Sequence, residues 1–332
     1  MKICFINYAL KAISIITLSL LTISAFGQGN SQQFPNRPVK MIIPFSPGGG
    51  TDVFGRLLAK KLGEVWGQPV IVDNRAGGNG NIGTDLVAKA APDGYTLLFT
   101  TNATVVINPH ISNIPYDPIK DLAPVSLIVA LPFALIVNPS LPVRSFTDLV
   151  ALAKSKPGEL NFGSSGAGGG AHLAGELMNK MGNLDTVHVP YKGLAPSVTA
   201  LLSGEIQFMF GSMLSSKPLI DSNRVRMIAI SSSNRIPSMP NIPTVGETPG
   251  FTGFESDLWY GLLVPSKTDP ATIQKIYRDV KKVVTDPDFN KFSESSGIIM
   301  VTSNPSEFSQ KIKSDYSRWG ALVNSLGDKL RQ

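Results

Sequence analysis

Three times along this chain an apolar, β-prone run gives way to a cluster of glycines and then to a helical pattern, an order that few folds accommodate. The segments are Pro44-Phe45-Ser46-Pro47-Gly48-Gly49-Gly50-Thr51-Asp52, Ala76-Gly77-Gly78-Asn79-Gly80-Asn81-Ile82-Gly83-Thr84-Asp85, and Phe162-Gly163-Ser164-Ser165-Gly166-Ala167-Gly168-Gly169-Gly170-Ala171-His172. Glycine lets backbone approach a ligand closely, and the unpaired N–H groups of a first helical turn attract an anion. Around these segments strands and helices alternate. Strands are expected at 39–45, 69–73 and 95–100, with helices at 51–65 and 82–91 whose apolar residues recur at helical spacing. Such alternation implies βαβ units, a parallel sheet and an α/β fold.

The same grammar returns further on. Residues 125–137 are strongly β-prone, and a helix over 144–155 is opened by a capping box of Ser145 and Asp148. Strands at 160–164, 186–189, 206–210 and 225–231 alternate with helices at 172–181 and 196–203. A proline-rich stretch over 235–249 reads as a long surface loop, and 259–264 as another strand. Asp269 and Pro270 start a helix, and Asn304, Pro305 and Glu307 start a last one with Phe308, Ile312, Tyr316, Trp319 and Val323 on one face. That stripe reads as core packing. At about 100–200 residues per domain, 332 residues favour two domains. A C-terminal helical part that returns to the first sheet makes domain 1 discontinuous, 34–128 plus 257–332, with domain 2 over 129–256. The chain then crosses between them near 126–131 and 252–258.

Residues 1–27 stand apart from this pattern. Lys2 and Lys11 precede an apolar run, and Ala25-Phe26-Gly27 supplies small residues before Gln28. This is the layout of a secretory signal cleaved near Gly27, with an apolar stretch shorter than the roughly 20 residues of a spanning helix. The product is expected to be exported and soluble. The one cysteine, Cys4, leaves with the leader, so disulfide, CxxC and zinc-thiolate chemistry are excluded. The net charge of +6 is spread along the chain without interleaved aromatics, which argues for a solvated surface and against nucleic acid.

The glycine segments match no cofactor motif in full. Gly78-x-Gly80-x-x-Gly83 and Gly166-x-Gly168-x-x-Ala171 lack an acid at the end of the following strand, so a nicotinamide dinucleotide is not expected, and no cofactor is. No Gly-Lys-Ser/Thr follows, and no Gly-x-Ser-x-Gly elbow occurs. The loop over 76–85 reads as a tight turn with Thr84 and Asp85 as caps. The loops over 44–52 and 163–172 carry hydroxyls beside their glycines, and two such loops facing each other form one anion site.

Val39 to Asp52, Asp73-Asn74-Arg75-Ala76-Gly77-Gly78-Asn79-Gly80, Ala90-Ala91-Pro92-Asp93-Gly94-Tyr95-Thr96-Leu97, His188-Val189-Pro190-Tyr191-Lys192-Gly193 and Pro240-Asn241-Ile242-Pro243-Thr244-Val245 resemble signature runs of one family. It is that of the extracytoplasmic receptors of tripartite tricarboxylate transporters, the Bug receptors, and the likeness runs from about Pro38 onward in the family's order. The resemblance implies a periplasmic-binding-protein type II-like fold, two α/β domains with two crossover strands that close like a Venus flytrap on a small carboxylate. It implies no catalytic residue, no metal, a membrane permease as partner and a monomeric receptor. The site residues it implies are Phe45, Ser46, Gly49, Gly50, Thr51 and Asp52 from one domain, Thr101, Asn102 and Thr104 after the third strand, and Ser164, Ser165, Gly166 and Ala167 from the other, with Phe210 nearby.

Where the family often has Val-Asp, this chain has Ile206-Gln207, which favours a plain or aromatic carboxylate over an amino acid. Asp52 either meets a ligand amine or caps its helix. Tyr191 and Trp259 either line the cleft or pack. His172 and His188 read as structural and His110 as a loop residue, while Glu205, Glu255 and Asp257 form no acid–base pair. An exported hydrolase using Ser164 or Ser165 is the competing reading, and it lacks a base partner.

Overall fold

The computed structural model describes residues 34–191, 194–237, 239–296 and 298–327. The expected leader over 1–27 with its Cys4, and Lys192 and Gly193, lie outside them. All elements below belong to one unit, Arg37–Gln332.

Met41, Ile42 and Ile43 are fully buried, and burial of each such side chain contributes about 1.5–3 kcal/mol. They lie on β1 (Val39–Ile43), which pairs in parallel with β2 (Val70–Asn74) and β3 (Thr96–Thr101). α1 (Gly50–Trp66) joins the first two strands and buries Phe54, Leu58, Leu62 and Trp66, one stripe at four-residue spacing. Gly67, in the left-handed region at φ 62°, ends it. α2 (Asn81–Ala88) leads to β3, and a π-helical turn over Ala103–Ile107 runs into α3 (Asn108–Ile111). His110 is thus helical rather than in a loop.

The chain leaves this sheet on β4 (Leu122–Leu131) and continues at once as β5 (Phe133–Val137) of a second sheet. The β-prone run over 125–137 is therefore two strands, divided at Pro132, which has no N–H for a ladder. α4 (Phe146–Ser155), β6 (Asn161–Ser164), α5 (Gly170–Gly182), β7 (Val187–Pro190), α6 (Leu194–Ser203), β8 (Phe208–Ser212), α7 (Met213–Asp221) and β9 (Arg226–Ile230) follow. The second sheet has the order β7-β6-β8-β5-β9. The proline-rich stretch after it docks rather than floating on the surface: Thr244 bridges Ile230, and Ile236 and Val245 are buried.

The return is on β10 (Leu258–Pro265), which inserts between β3 and β4 and runs antiparallel to both. The first sheet is then β11-β4-β10-β3-β1-β2. Both sheets are mixed, not parallel as expected, because each contains a strand that carries the chain across to or back from the other. α8 (Pro270–Val283), α9 (Pro287–Ser296), β11 (Ile299–Met300) and α10 (Pro305–Leu326) complete the chain. α10 packs on β4, and its Phe308 meets Trp259 of β10 edge-on at 5.1 Å.

Candidate functional site

A cavity of about 380 Å³ opens where segments of both sheets meet. Its walls are the glycine loop before α5 (Ser165 to Ala171), the turn after β3 (Asn102, Ala103, Ile107), Asn79, Asn108 and Ile111, the strand residues Phe133, Phe210 and Ser212, the return segment Ser256 to Leu258, and Trp319 of α10. Among the described residues no lysine, arginine or histidine lines it, and Asp257 is the one acid.

The glycine loop opens the thirteen-residue helix α5, whose N-cap Gly169 offers no side-chain cap. Its first-turn N–H groups are orphan donors at the positive end of the helix. The loop is held from behind. Gly168 N–H donates to His172 Nδ1 at 2.9 Å, Gly166 N–H donates to Ser164 Oγ at 3.2 Å, and Ser164 Oγ donates to the Gly166 carbonyl at 2.8 Å. With that hydroxyl proton placed, His188 Nε2–H donates to Ser164 Oγ at 2.7 Å. The rings of His172 and His188 stack at 3.6 Å, and Glu176 stands 3.8 Å from His172. Burial, with His172 adding to it, pushes the His188 pKa down to about 4, so His188 is neutral at pH 7.

Ser164 therefore does have a histidine within reach, contrary to expectation. It is nevertheless fully buried, is absent from the cavity wall and has its hydroxyl engaged on both sides, an arrangement that braces a loop rather than exposes a nucleophile.

The first glycine loop does not line the cavity. Ser46, Gly49 and Gly50 are exposed, Phe45 packs near Gly80, and Thr51 contacts the Tyr260 hydroxyl. Asp52 accepts from Gly48 N–H at 2.9 Å, Arg56 Nε at 3.0 Å and Asn74 Nδ2 at 2.9 Å. Burial opposes its ionisation, but these donors prevail and hold its carboxyl below the ordinary value. Asp52 is neither the N-cap, which is Gly49, nor open to a ligand amine.

Thr101 and Thr104 are also turned inward. Thr104 Oγ1 shares a 2.8 Å bond with Thr100, and Thr101 Oγ1 accepts from Ala103 N–H, so both fix the π-helical turn. That turn sets Asn102 on the cavity wall, where its Nδ2 donates to the Asp257 carbonyl at 3.0 Å and its Oδ1 is buried without a partner. Ser256 Oγ and Trp319 Nε1 are likewise buried and unpartnered. Of the fourteen residues implied by resemblance, Asn102, Ser165, Gly166, Ala167 and Phe210 share this cavity, while the other nine support or flank it.

Asn79, Asn108, Ser256, Asp257 and Trp319 were not anticipated there. Asn79 has a left-handed φ of 55°, a conformation signalled by the Asn79-Gly80 dipeptide, and its side chain donates to Asn108 Oδ1 at 3.0 Å. The loop over 76–85 is thus more than a turn, and α2 begins at Asn81 with Thr84 and Asp85 inside it rather than capping it. Gln207 binds the Asn161 and Gly204 backbone away from the cavity, which removes its bearing on ligand charge. Tyr191 donates to Glu205, and Trp259 is packed in the core with its Nε1 donating to Asp315.

Residues 54–328 match the family model described as "Tripartite tricarboxylate transporter family receptor". Protein BugT of Bordetella pertussis is 34% identical over 323 residues, 97% of this chain and 99% of that protein. Among solved structures, R. palustris Rpa4515 with adipate is 31% identical with a TM-score of 0.72, covering 88% of this chain and 97% of that one. Periplasmic binding protein BugD is 30% identical with a TM-score of 0.66, covering 88% of this chain and 98% of that one. The chain belongs to the tripartite tricarboxylate transporter receptor family and has the two-domain, type II-like α/β fold of periplasmic solute-binding proteins.

Proposed function

We propose that this receptor captures a small di- or tricarboxylate or an aromatic carboxylate in its cleft and delivers it, as a monomer, to the permease of a tripartite tricarboxylate-type transporter. Capture follows export to the periplasm and loss of residues 1–27, and the cleft lies between a domain of 34–128 plus 257–332 and one of 129–256. The observation that carries this reading is the uncapped N-terminus of α5 beside two buried, unpartnered donors, Ser256 Oγ and Trp319 Nε1. Orphan N–H groups and buried hydroxyl or indole donors bind a carboxylate without any cation. The adipate in the relative's structure supports the same ligand class. Glycine loops 44–52 and 163–172 close on the ligand together, the first entering the site only on closure.

Thermal melts of the leader-free protein against mono-, di- and tricarboxylates test this. Stabilisation grows as RT ln(1 + [L]/Kd), about 2.7 kcal/mol at 100 times Kd. At least one carboxylate is expected to raise Tm with concentration, and replacing Gly49, whose ordinary backbone and open surroundings tolerate a side chain, by Leu is expected to abolish the shift without unfolding the protein. Normal binding by Gly49→Leu sinks the role of the first loop.

The competing reading, an exported hydrolase with a serine of the 163–167 loop, has only the contact of the buried Ser164 with His188 in its favour. Turnover of p-nitrophenyl acetate that is lost in Ser164→Ala, with silence toward every carboxylate, would replace the receptor reading.

A further inference from the structure

A cavity for an anion whose described lining holds one acid and no base poses an electrostatic problem, and Asp257 is where it is posed. The residue lies where the chain returns to the first sheet and borders both the 380 Å³ cavity and a second of about 430 Å³. Its carboxyl is fixed in place. Ser231 Oγ accepts from Phe133 N–H at 2.8 Å, so its single proton goes to Asp257 Oδ1 at 2.7 Å, leaving Oδ2 as the other oxygen.

The charged groups facing Asp257 offset its burial only in part: Lys311 and Arg318 favour the ionised form, but both are engaged elsewhere. Glu255, on its own segment, is of like sign. From α10, Lys311 is already shared between Glu255 at 2.6 Å and Asp315 at 3.0 Å, and Arg318 pairs with Asp315 at 2.8 Å. A dianion entering the cavity beside an ionised Asp257 adds repulsion in a partly dry site, where charges interact several times more strongly than in water.

Resting on the carboxylate reading above, we propose that Asp257 selects for a ligand with a second carboxylate by binding it in the acid form: Asp257 takes one proton from solvent, and its O–H donates to an oxygen of the ligand's distal carboxylate. Two carboxyl groups that share one proton are favourable where two carboxylates are not. The protein is prepared for this step, since burial, reinforced by Glu255 and opposed by the Ser231 hydrogen bond and the charges of Lys311 and Arg318, pushes the Asp257 carboxyl up to about 7 before any ligand arrives.

Calorimetry with adipate and citrate, from about pH 6 to about pH 8.5 and in buffers of different ionisation enthalpy, reads the proton directly. Uptake of a proton is expected at the upper end of that range, with affinity level below about pH 7 and falling by up to about tenfold per pH unit above it. Asp257→Asn, whose amide imitates the protonated acid, is expected to bind adipate with no such slope, and at the alkaline end about tenfold more tightly than the wild type. This assigns the proton to Asp257 and not to a histidine. Wild-type binding that is level with pH and takes up no proton overturns the inference but leaves the receptor reading intact. So does affinity that rises with pH, and so does binding of benzoate alone. Silence toward every carboxylate overturns both.

Discussion

At Asp52 a nearly buried carboxylate accepts from Gly48, Arg56 and Asn74, and its work is to tie the first glycine loop to α1 and β2. Its folded-state pKa is depressed, so its stabilising contribution is present above the unfolded value near 3.8 and is lost as pH falls through the folded one. Asp52→Asn is therefore expected to lower Tm at pH 7 and to narrow the gap from wild type in strong acid; equal melts at neutral pH would show that the tie contributes nothing. Trp319 gives a sharper test of the cavity. Trp319→Phe keeps the aromatic packing and removes one N–H, and a hydrogen bond to a charged group contributes about 1.5–3 kcal/mol. Adipate affinity is expected to fall by about tenfold or more with little change in Tm, whereas unchanged affinity places the indole outside the ligand's reach. At this scale the sequence was only partly legible. Ser165, Gly166 and Ala167 follow from one local motif, but Asp257 and Trp319 reach the same cavity from elements far apart in the chain, and nothing in their own neighbourhoods announces it.

Helix starts were the most legible elements because a cap is chemistry within four residues. Ser145 and Asp148 form the expected reciprocal box on α4, Asp269 caps α8, and Asn304 with Glu307 does the same for α10. Ser145→Ala is expected to cost about 1 kcal/mol in a urea titration. Elements that break the rules went unseen. α7 carries Pro218 inside it, α9 is mostly polar, and the π-helical turn over Ala103–Ile107 has no simple sequence period. The start of α5 was anticipated, but its brace was not, since stacking of His172 on His188 requires α5 and β7 to be in place. The brace has a pH signature. His188 is held neutral in the folded protein down to about 4, against roughly 6.5 in an unfolded chain, so its contribution is present above about 6.5 and is lost on acidification toward 4. Melts should show Tm falling across that window, and His188→Gln, which keeps a donor for Ser164 but cannot titrate, should show a shallower fall. An equal fall in both would remove His188 as the source.

For the whole molecule, the decisive feature is that the chain passes between sheets twice: at Pro132, and again between Ile230 and Leu258. The alternation of strands and helices made two α/β sheets legible, but not that β10 would insert between β3 and β4, because antiparallel pairing depends on which strands meet after the crossing. These passages matter for function because the cavity takes walls from both sides of them: Asn79 and Asn102 come from loops of the first sheet, Ser165 to Ala171 and Phe210 from the second. On the proposed reading a ligand that touches both sets draws them together, with Pro132 and the segment over 231–257 as the two connections that closure involves. The exposed first loop bears on the proposed closure, since on that reading a segment now outside the cavity would join its wall. Ligand affinity for the closed form alone is what shifts the population. Small-angle scattering of the leader-free protein is accordingly expected to show a smaller radius of gyration at saturating adipate than without it, and Gly49→Leu, which obstructs the approach of the first loop, is expected to keep the larger value. An unchanged radius in wild-type protein that the melts show to be saturated would mean that the ligand is held by one side only, with the second-sheet glycine loop and its brace as the whole of the grip.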